Sequence, residues 1–269
     1  MTDFLARRER FAVVGSTNDV VRGWLADGIQ EVCLAIADAQ TAGRGRDGRS
    51  WVAPPGGALL LSLGFRPTWL PPERTWRLAA IVSLAMADAA EATAGLPSGT
   101  VRLKWPNDLV VETGGEVKKV AGVLGESDGL GTADARVVIG IGVNGDWPAT
   151  SFPPDLVGSM TSLRAMTGDR PMDHDRLLDA FIEWLEPRIV DLRQGDFDEA
   201  SWSARQVTTG RTVELMAPDG ARTIVRAIDV DASSGALVVA DPRAPTGRRA
   251  VVVGEIRHVR VAGESPVAV

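Results

Sequence analysis

The sequence predicts an α/β protein of the α+β kind, with a mixed sheet and its helices over residues 1–207 and a small all-β unit over residues 208–269. Three observations carry this reading. Short apolar runs of strand length recur between Phe11 and Val143, with helical stretches among them. Several are separated by turns alone, which favours hairpins and a mixed sheet over a strict βαβ wind. After Gly210 the texture changes to short Val- and Ile-rich runs, split by Pro218-Asp219-Gly220, Ser234-Gly235 and Thr246-Gly247, as in a small barrel.

The elements follow in order. Phe11 to Val14 reads as a strand, broken by Gly15-Ser16-Thr17-Asn18. Val20, Val21, Trp24 and Leu25 recur at helical spacing, and Gly28 can end that helix. Val32 to Ala37 reads as a buried strand. Gln40 to Trp51 is rich in Gly and Arg and reads as a loop. Ala58 to Phe65 is a further strand, and Glu73 to Ala94 a long helix entered through Pro71-Pro72. Val101 to Lys104, Leu109 to Val111, Val117 to Leu124 and Val137 to Val143 have strand character. A helix is expected from Asp175 to Leu192 with a kink at Pro187, and a shorter one from Asp198 to Arg205. The terminal strands are expected at Thr212–Leu215, Ile224–Ile228, Leu237–Ala240, Val251–Val253 and Ile256–Val259.

Length and composition narrow the function. A chain of 269 residues with 45% hydrophobic content can bury a sizeable core. Its formal net charge of -6 argues against a protein that lives on nucleic-acid backbone, although a local basic patch remains open. The lone Cys33 lies in an apolar run and reads as a small core residue. With no disulfide within the chain, a reducing compartment fits. The first ten residues lack the apolar run of a signal peptide, and the apolar stretch around Leu78 to Ala94 holds Ser83, Asp88 and Glu91. The expected location is the cytoplasm. His174 and His258 lie far apart, and no metal-spaced His/Cys cluster, Walker A pattern or GxGxxG after a strand is present.

Four segments can carry chemistry. In Gln40 to Trp51, glycines alternate with Arg44, Arg46 and Arg49. Glycine lets backbone amides approach an anion, arginine supplies fixed positive forks, and Trp51 offers a flat face. A solvated basic loop, or an RGG-like nucleic-acid segment, is the plain alternative. Lys104-Trp105-Pro106-Asn107-Asp108 ends a strand in a lysine, an aromatic and a turn. By itself it reads as a hairpin with a core Trp. In Lys119-Val120-Ala121-Gly122, strand alternation puts Lys119 and Ala121 on one face and Val120 and Gly122 on the other. Gly122 leaves room for a ligand, or marks a bend. In Gly140-Ile141-Gly142-Val143-Asn144, two glycines weaken an apolar strand, which points to close approach by something or to a packing accommodation.

In this order, these segments resemble the biotin protein ligase family, as do Gly15-Ser16-Thr17-Asn18, Thr161-Ser162-Leu163 and Gly254-Glu255-Ile256. Each motif alone is weak to moderate. The ordered set is specific and covers nearly the whole chain. The resemblance implies a catalytic domain of the biotin/lipoyl ligase type followed by a small SH3-like barrel. It implies the monofunctional type, because a Gly-Ser-Thr-Asn turn at residue 15 leaves no room for the winged-helix DNA-binding domain of some members. One departure is Gly145, where many members carry a small apolar residue, so the local turn is expected to differ.

The implied activity is ATP-dependent formation of biotinyl-5'-AMP and transfer of biotin to a lysine of a biotin carboxyl carrier domain. Arg46, Lys119 and Asp108 are the implied catalytic residues. Biotin falls to Ser16, Thr17, Asn18, Gln40, Gly43, Arg44, Arg46, Lys119, Gly122 and Gly142. ATP and the adenylate fall to Arg46, Arg49, Trp51, Asn107, Lys119 and Asn144. The register of Lys-x-Ala-Gly selects Lys119 over Lys118. Mg2+ is expected on the phosphates, with no protein metal site. Neither DNA nor a membrane is expected as a partner, and a homodimer is left open. Two rivals stand beside this reading. A lipoate-type ligase shares the fold but would need a longer, wholly apolar slot, and its usual glycine-rich arginine motif is not present here. A nucleic-acid module using the arginine loop conflicts with the acidic charge.

Overall fold

A computed structural model describes residues 4–217, 219–252 and 255–258. The first sheet has seven strands: β1 (Arg7–Val14), β2 (Cys33–Gln40), β3 (Ala58–Phe65), β4 (Arg102–Lys104), β5 (Asp108–Thr113), β6 (Glu116–Asp128) and β7 (Arg136–Asn144). Their spatial order is β1-β2-β3-β7-β6-β5-β4. Only the β1–β2 pair is parallel; every other neighbouring pair is antiparallel. The expected mixed sheet is present, and β4 to β7 form the expected meander.

Helices cover both faces. The odd residues of β2, Cys33 and Ala35, meet Val21, Trp24 and Leu25 of α1 (Thr17–Ala26). The even residues, Leu34 and Ile36, join the main core under α2 (Trp76–Ala94) and α4 (His174–Gln194). A strand sandwiched this way is apolar on both sides, which is why Val32 to Ala37 reads as a continuous run. Helix α2 is buried nearly all round and ends at Gly95, whose φ of 70° suits a left-handed cap. Helix α4 buries Leu177, Phe181, Leu185, Ile189 and Leu192 at helical spacing, and Asp173 caps its start by accepting from the Asp175 and Arg176 amides. Two short helices, α3 (Leu163–Met166) and α5 (Glu199–Ala204), complete the set.

The second sheet holds β8 (Thr212–Met216), β9 (Arg222–Val230), β10 (Leu237–Ala240), β11 (Arg248–Val251) and β12 (Glu255–His258), antiparallel in the order β11-β10-β9-β8-β12. It is tied to the first by Trp105, whose Nε1 donates to the Gly235 carbonyl at 3.1 Å, and by Trp76, whose indole lies over Gly235.

Some expectations shift. Strand β1 begins at Arg7, because pairing with β2 extends the ladder through residues whose charges face out. The long helix starts at Trp76; Pro72 to Arg74 make a separate 3-10 turn, since tandem prolines fix the chain before it can wind. Helix α4 runs on through Pro187. Strand β11 ends at Val251, and its pairing with Leu237–Ala240 draws in Arg248 and Arg249 instead of Val252. Val253 and Val259 lie outside the described residues. No described helix is long and apolar enough to cross a membrane.

Candidate active site

One cleft of about 1050 Å3 gathers the segments singled out in the sequence. It lies at the top of the 300–1,000 Å3 range common for small-molecule sites, enough for a large ligand or two adjoining ones. Its floor is the α1 side of the sheet. There Gly122 of β6 pairs directly with Gly142 of β7, leaving a hollow without side chains. The Trp51 indole lies in that hollow. A Cβ on Gly142 would sit 2.5 Å from the ring, and one on Gly122 3.0 Å from it. The glycines thus admit an aromatic ring, where bare backbone open to a ligand was expected. The Trp51 Nε1 is buried with no hydrogen-bond partner among the described residues.

One wall is built by β2, α1 and β3. Ser16 is the N-cap of α1, yet its side chain makes no capping bond. The Thr17 amide and hydroxyl both donate to Gln40 Oε1, at 2.7 and 3.0 Å. Ser62 Oγ lies 2.7 Å from Thr17 Oγ1 and 2.6 Å from Asn18 Oδ1. Asn18 Nδ2 donates to Glu126 Oε2 at 2.8 Å, and Asn18 fills the space that a side chain at Gly140 would need. Sequence reading missed Ser62 and Glu126, because their partners are distant in the chain. The only available signal was a polar residue at each position within a strand.

The glycine–arginine loop closes on itself. Arg44 and Ser50 form an antiparallel bridge, the Trp51 amide donates to the Gly43 carbonyl at 2.9 Å, and Arg46–Gly48 make a 3-10 turn. A side chain at Gly43 would strike the Trp51 carbonyl at 2.6 Å, so this glycine serves the loop's own closure. Of the expected site residues it alone does not line the cleft. Arg44 grips Asp19 with both nitrogens, at 2.8 and 2.7 Å, and reaches Glu126 at 3.4 Å. The Arg44 guanidinium holds the Asp19 carboxyl below the usual carboxylate range.

The far wall holds the lysine. Lys119 Nζ contacts Asp108 Oδ1 at 2.6 Å and lies 5.3 Å from the centre of the Trp51 ring. Strict alternation fails here. The β5–β6 register shifts so that Leu109 faces Ala121 while Val110 faces Lys119, which leaves Val120 as a bulge. Lys119 and Gly122 therefore share the cleft face, contrary to the expected pattern, and a Cβ on Gly122 would lie 2.9 Å from the Lys119 ammonium. The bulge also frees the Lys119 backbone. Its amide donates to Ser159 O and its carbonyl accepts from Thr161 N, both at 2.8 Å. A strap over residues 145–163 is thereby laid against the lysine.

Asn107 and Asn144 both line the cleft. Asn107 Nδ2 donates to the Val123 carbonyl at 2.7 Å, and Asn144 Nδ2 to the Thr161 carbonyl at 3.0 Å. Each amide spends one of its two N–H donors on backbone, which fixes the orientation of the amide in the cleft. The charges of the lining are lopsided: among the described residues, Arg44, Arg46, Arg49, Lys104 and Lys119 face a single acid, Asp108. An acidic protein has built a cationic cleft, as an anionic ligand requires. Among the described residues, no group of three or more His, Cys, Asp or Glu side chains could hold a metal.

Comparison with known proteins agrees with this geometry. Residues 11–144 match the sequence profile of the biotin/lipoate A/B protein ligase family. A biotin--[acetyl-CoA-carboxylase] ligase of Mycobacterium tuberculosis is 32% identical over 253 residues, covering 93% of this chain and 88% of that protein. A protein of the same name from Paracoccus denitrificans is 33% identical, covering 86% and 92%. Among solved structures, a biotin protein ligase from Aquifex aeolicus in complex with biotin and ATP has a TM-score of 0.73 at 22% identity, covering 95% of this chain and 99% of that one.

Proposed function

The chain belongs to the biotin/lipoate A/B protein ligase family, and from that premise we propose that it is an ATP-dependent biotin protein ligase. The observation that carries this is the cationic cleft, where Lys119 and the arginine loop converge beside a wall of buried polar groups. A lipoate-type reading is not favoured, since the relatives aligned over most of the chain are biotin ligases. A nucleic-acid role conflicts with the net charge of -6.

The chemistry has two steps. A carboxylate oxygen of biotin attacks the α-phosphorus of ATP, pyrophosphate leaves, and biotinyl-5'-AMP forms. An acceptor amine then attacks the carbonyl, loses a proton and displaces AMP. The first step brings two anions together, so fixed positive charge must stabilise the developing transition state. Lys119 bridges carboxylate and phosphate, while Arg46 and Arg49 close over the phosphate. Asp108 orients Lys119 and, as the one carboxylate of the lining, is placed to take the acceptor's proton.

Ser16, Thr17 and Gln40 hold the ureido ring of biotin. Gln40 turns its oxygen inward to Thr17, which leaves its amide hydrogens for a ligand acceptor. Asn18 and Arg44 support that wall, and Trp51 supplies a flat face for adenine. Asn107 and Asn144, each held by one bond to backbone, supply polar partners for the nucleotide. Mg2+ would accompany the phosphates and add neutralising charge there, with Asp108 as the carboxylate nearest to hand in the cleft.

The acceptor is a biotin carboxyl carrier domain. We place the protein in the cytoplasm as a soluble enzyme with residues 208–269 as a separate small domain, with neither DNA nor a membrane among its partners. Self-association by sedimentation will decide between monomer and homodimer. The test of the whole reading is mass spectrometry of a carrier domain after incubation with the protein, biotin and ATP. One biotin added to one lysine, dependent on ATP, is expected. An unmodified carrier refutes the reading.

A further inference from the structure

We infer that Glu126, on β6 outside the reaction chemistry, is the positioning residue that ties the polar wall of the cleft to the root of the arginine loop. Its carboxylate accepts from Asn18 Nδ2 at 2.8 Å and from Arg22 at 2.7 Å, and meets Arg44 at 3.4 Å. A carboxylate can only accept, so it fixes which end of the Asn18 amide faces it. Asn18 Oδ1 must then face Ser62, whose single hydroxyl hydrogen goes to it. The ordering set by Glu126 ends at Ser62, since the Thr17 hydroxyl hydrogen goes to Gln40 Oε1, which the Thr17 amide also holds. Glu126 thus sets the orientation of Asn18, which itself lines the cleft, and of the Ser62 hydroxyl behind it.

Its second tie is to the loop. Arg44 forms the bridge with Ser50 that closes the loop, and the adjoining Gly43–Trp51 bond sets where the indole lies. Asp19 and Glu126 hold that arginine, and Arg22 bonds to both acids, so two cations and two anions make a neutral clamp. Arg44 therefore anchors the loop, while the charge offered to a ligand comes from beyond it.

The inference rests on the ligase reading for its catalytic consequence alone, and the test separates the two. Glu126→Gln keeps the shape but removes the charge and turns one acceptor into a donor, which must face either Asn18 or Arg44 and weakens the hold on both. The loop carries trypsin sites at Arg46 and Arg49. Cleavage there in the ligand-free, full-length protein is expected to rise about tenfold, the scale of one lost charge-assisted hydrogen bond. The KM for biotin should rise by a similar factor with a smaller change in kcat. Glu126→Asp keeps an acceptor-only carboxylate while removing a methylene, and should stay within about threefold of the parent. In an Arg44→Met background, Glu126→Gln should add no further loop cleavage yet still raise the KM through Asn18. Unchanged cleavage and KM in Glu126→Gln overturn the inference. So does a larger effect from Glu126→Asp, which assigns the residue to packing, and so does cleavage raised evenly along the chain. If loop cleavage rises while even the parent protein makes no adenylate, the ligase reading fails and the positioning role stands.

Discussion

The bulge at Val120 turns the Lys119 side chain into the cleft against Asp108, while its neighbour Lys118 pairs with Glu116 at 3.9 Å. Lys119→Ala is therefore expected to slow adenylation by about two to four orders of magnitude, as for a lost electrostatic stabiliser, and Lys118→Ala to leave it near the parent rate. Single-turnover release of pyrophosphate reads both, and equal effects would sink the assignment. The identity of that lysine was legible in the motif. Its direction was not, because the bulge depends on β5 and on a strap some forty residues away, as the contacts with Ser159 and Thr161 show. Gly145 is a second case. The sequence flagged it as a departure, and the structure supplies its partner: a Cβ there would meet His174 Nε2 at 2.2 Å, and that nitrogen accepts from the Asp146 amide at 3.1 Å. Gly145→Ala should cost about 1–3 kcal/mol through crowding and loss of that bond, but almost nothing in a His174→Ala background. A thermal-denaturation cycle showing additive losses would refute the coupling. Burial also holds the His174 pKa below its usual value. The folded state then binds fewer protons than the unfolded one, so stability is complete above about pH 6.5 and falls as the pH drops through that value. His174→Gln should flatten this slope.

Among the elements, the arginine loop divides into a fixed root and a tip. The root is held by the Arg44–Ser50 bridge, the Gly43–Trp51 bond and the grip of Arg44 on Asp19. The tip, Arg46–Gly48, is one 3-10 turn. In hydrogen exchange, the Trp51 amide should be protected in the free protein. The tip amides should exchange quickly and gain protection when biotin and ATP are added together, because the adenylate phosphate draws the loop's arginines onto it. Equal tip protection with and without ligands would make the loop a static wall. Element by element, the sequence was most legible where local pattern and packing agree. Strand β3 occupies Ala58–Phe65 as expected, since its alternate residues are buried on both faces. It was least legible where pairing overrides composition. Strand β11 takes in Arg248 and Arg249, and the strap over residues 145–163 owes its course to Asn144, Lys119 and Trp147, which hydrogen-bond to Thr161, Ser159 and Ser162.

At the scale of the whole molecule, the change of texture near Gly210 shows in the sequence, but the joint that carries it does not. The chain leaving α5 is stitched beside β4, with Leu103 N donating to Arg205 O at 2.8 Å and Val207 N to Leu103 O at 2.9 Å. Arg205 is buried there. It forks onto Glu91 at 2.9 and 3.0 Å, reaches Asp88 at 2.5 Å and donates to the Val101 carbonyl at 2.6 Å. Just beyond that strand, Trp105 reaches Gly235 in the turn between β9 and β10. Removing one partner of a buried ion pair leaves the others uncompensated, so Arg205→Met should destabilise the protein by about 3–5 kcal/mol. For a chain of this size that is a fall in Tm of roughly 10 °C. Two mechanisms could produce such a fall, lost packing or stranded charge, and pH separates them. Burial already pushes the Asp88 carboxyl up, with Arg205 and Arg188 drawing it down. Without Arg205, Asp88 binds a proton more readily in the folded state than in the unfolded one. Its penalty is then relieved in acid and grows as the pH rises through the ordinary carboxylate range. The gap in Tm between Arg205→Met and the parent should therefore be wider at pH 8 than at pH 5. A gap of equal size at both values would assign the loss to packing and remove the charge cluster from the account of how the two sheets are joined.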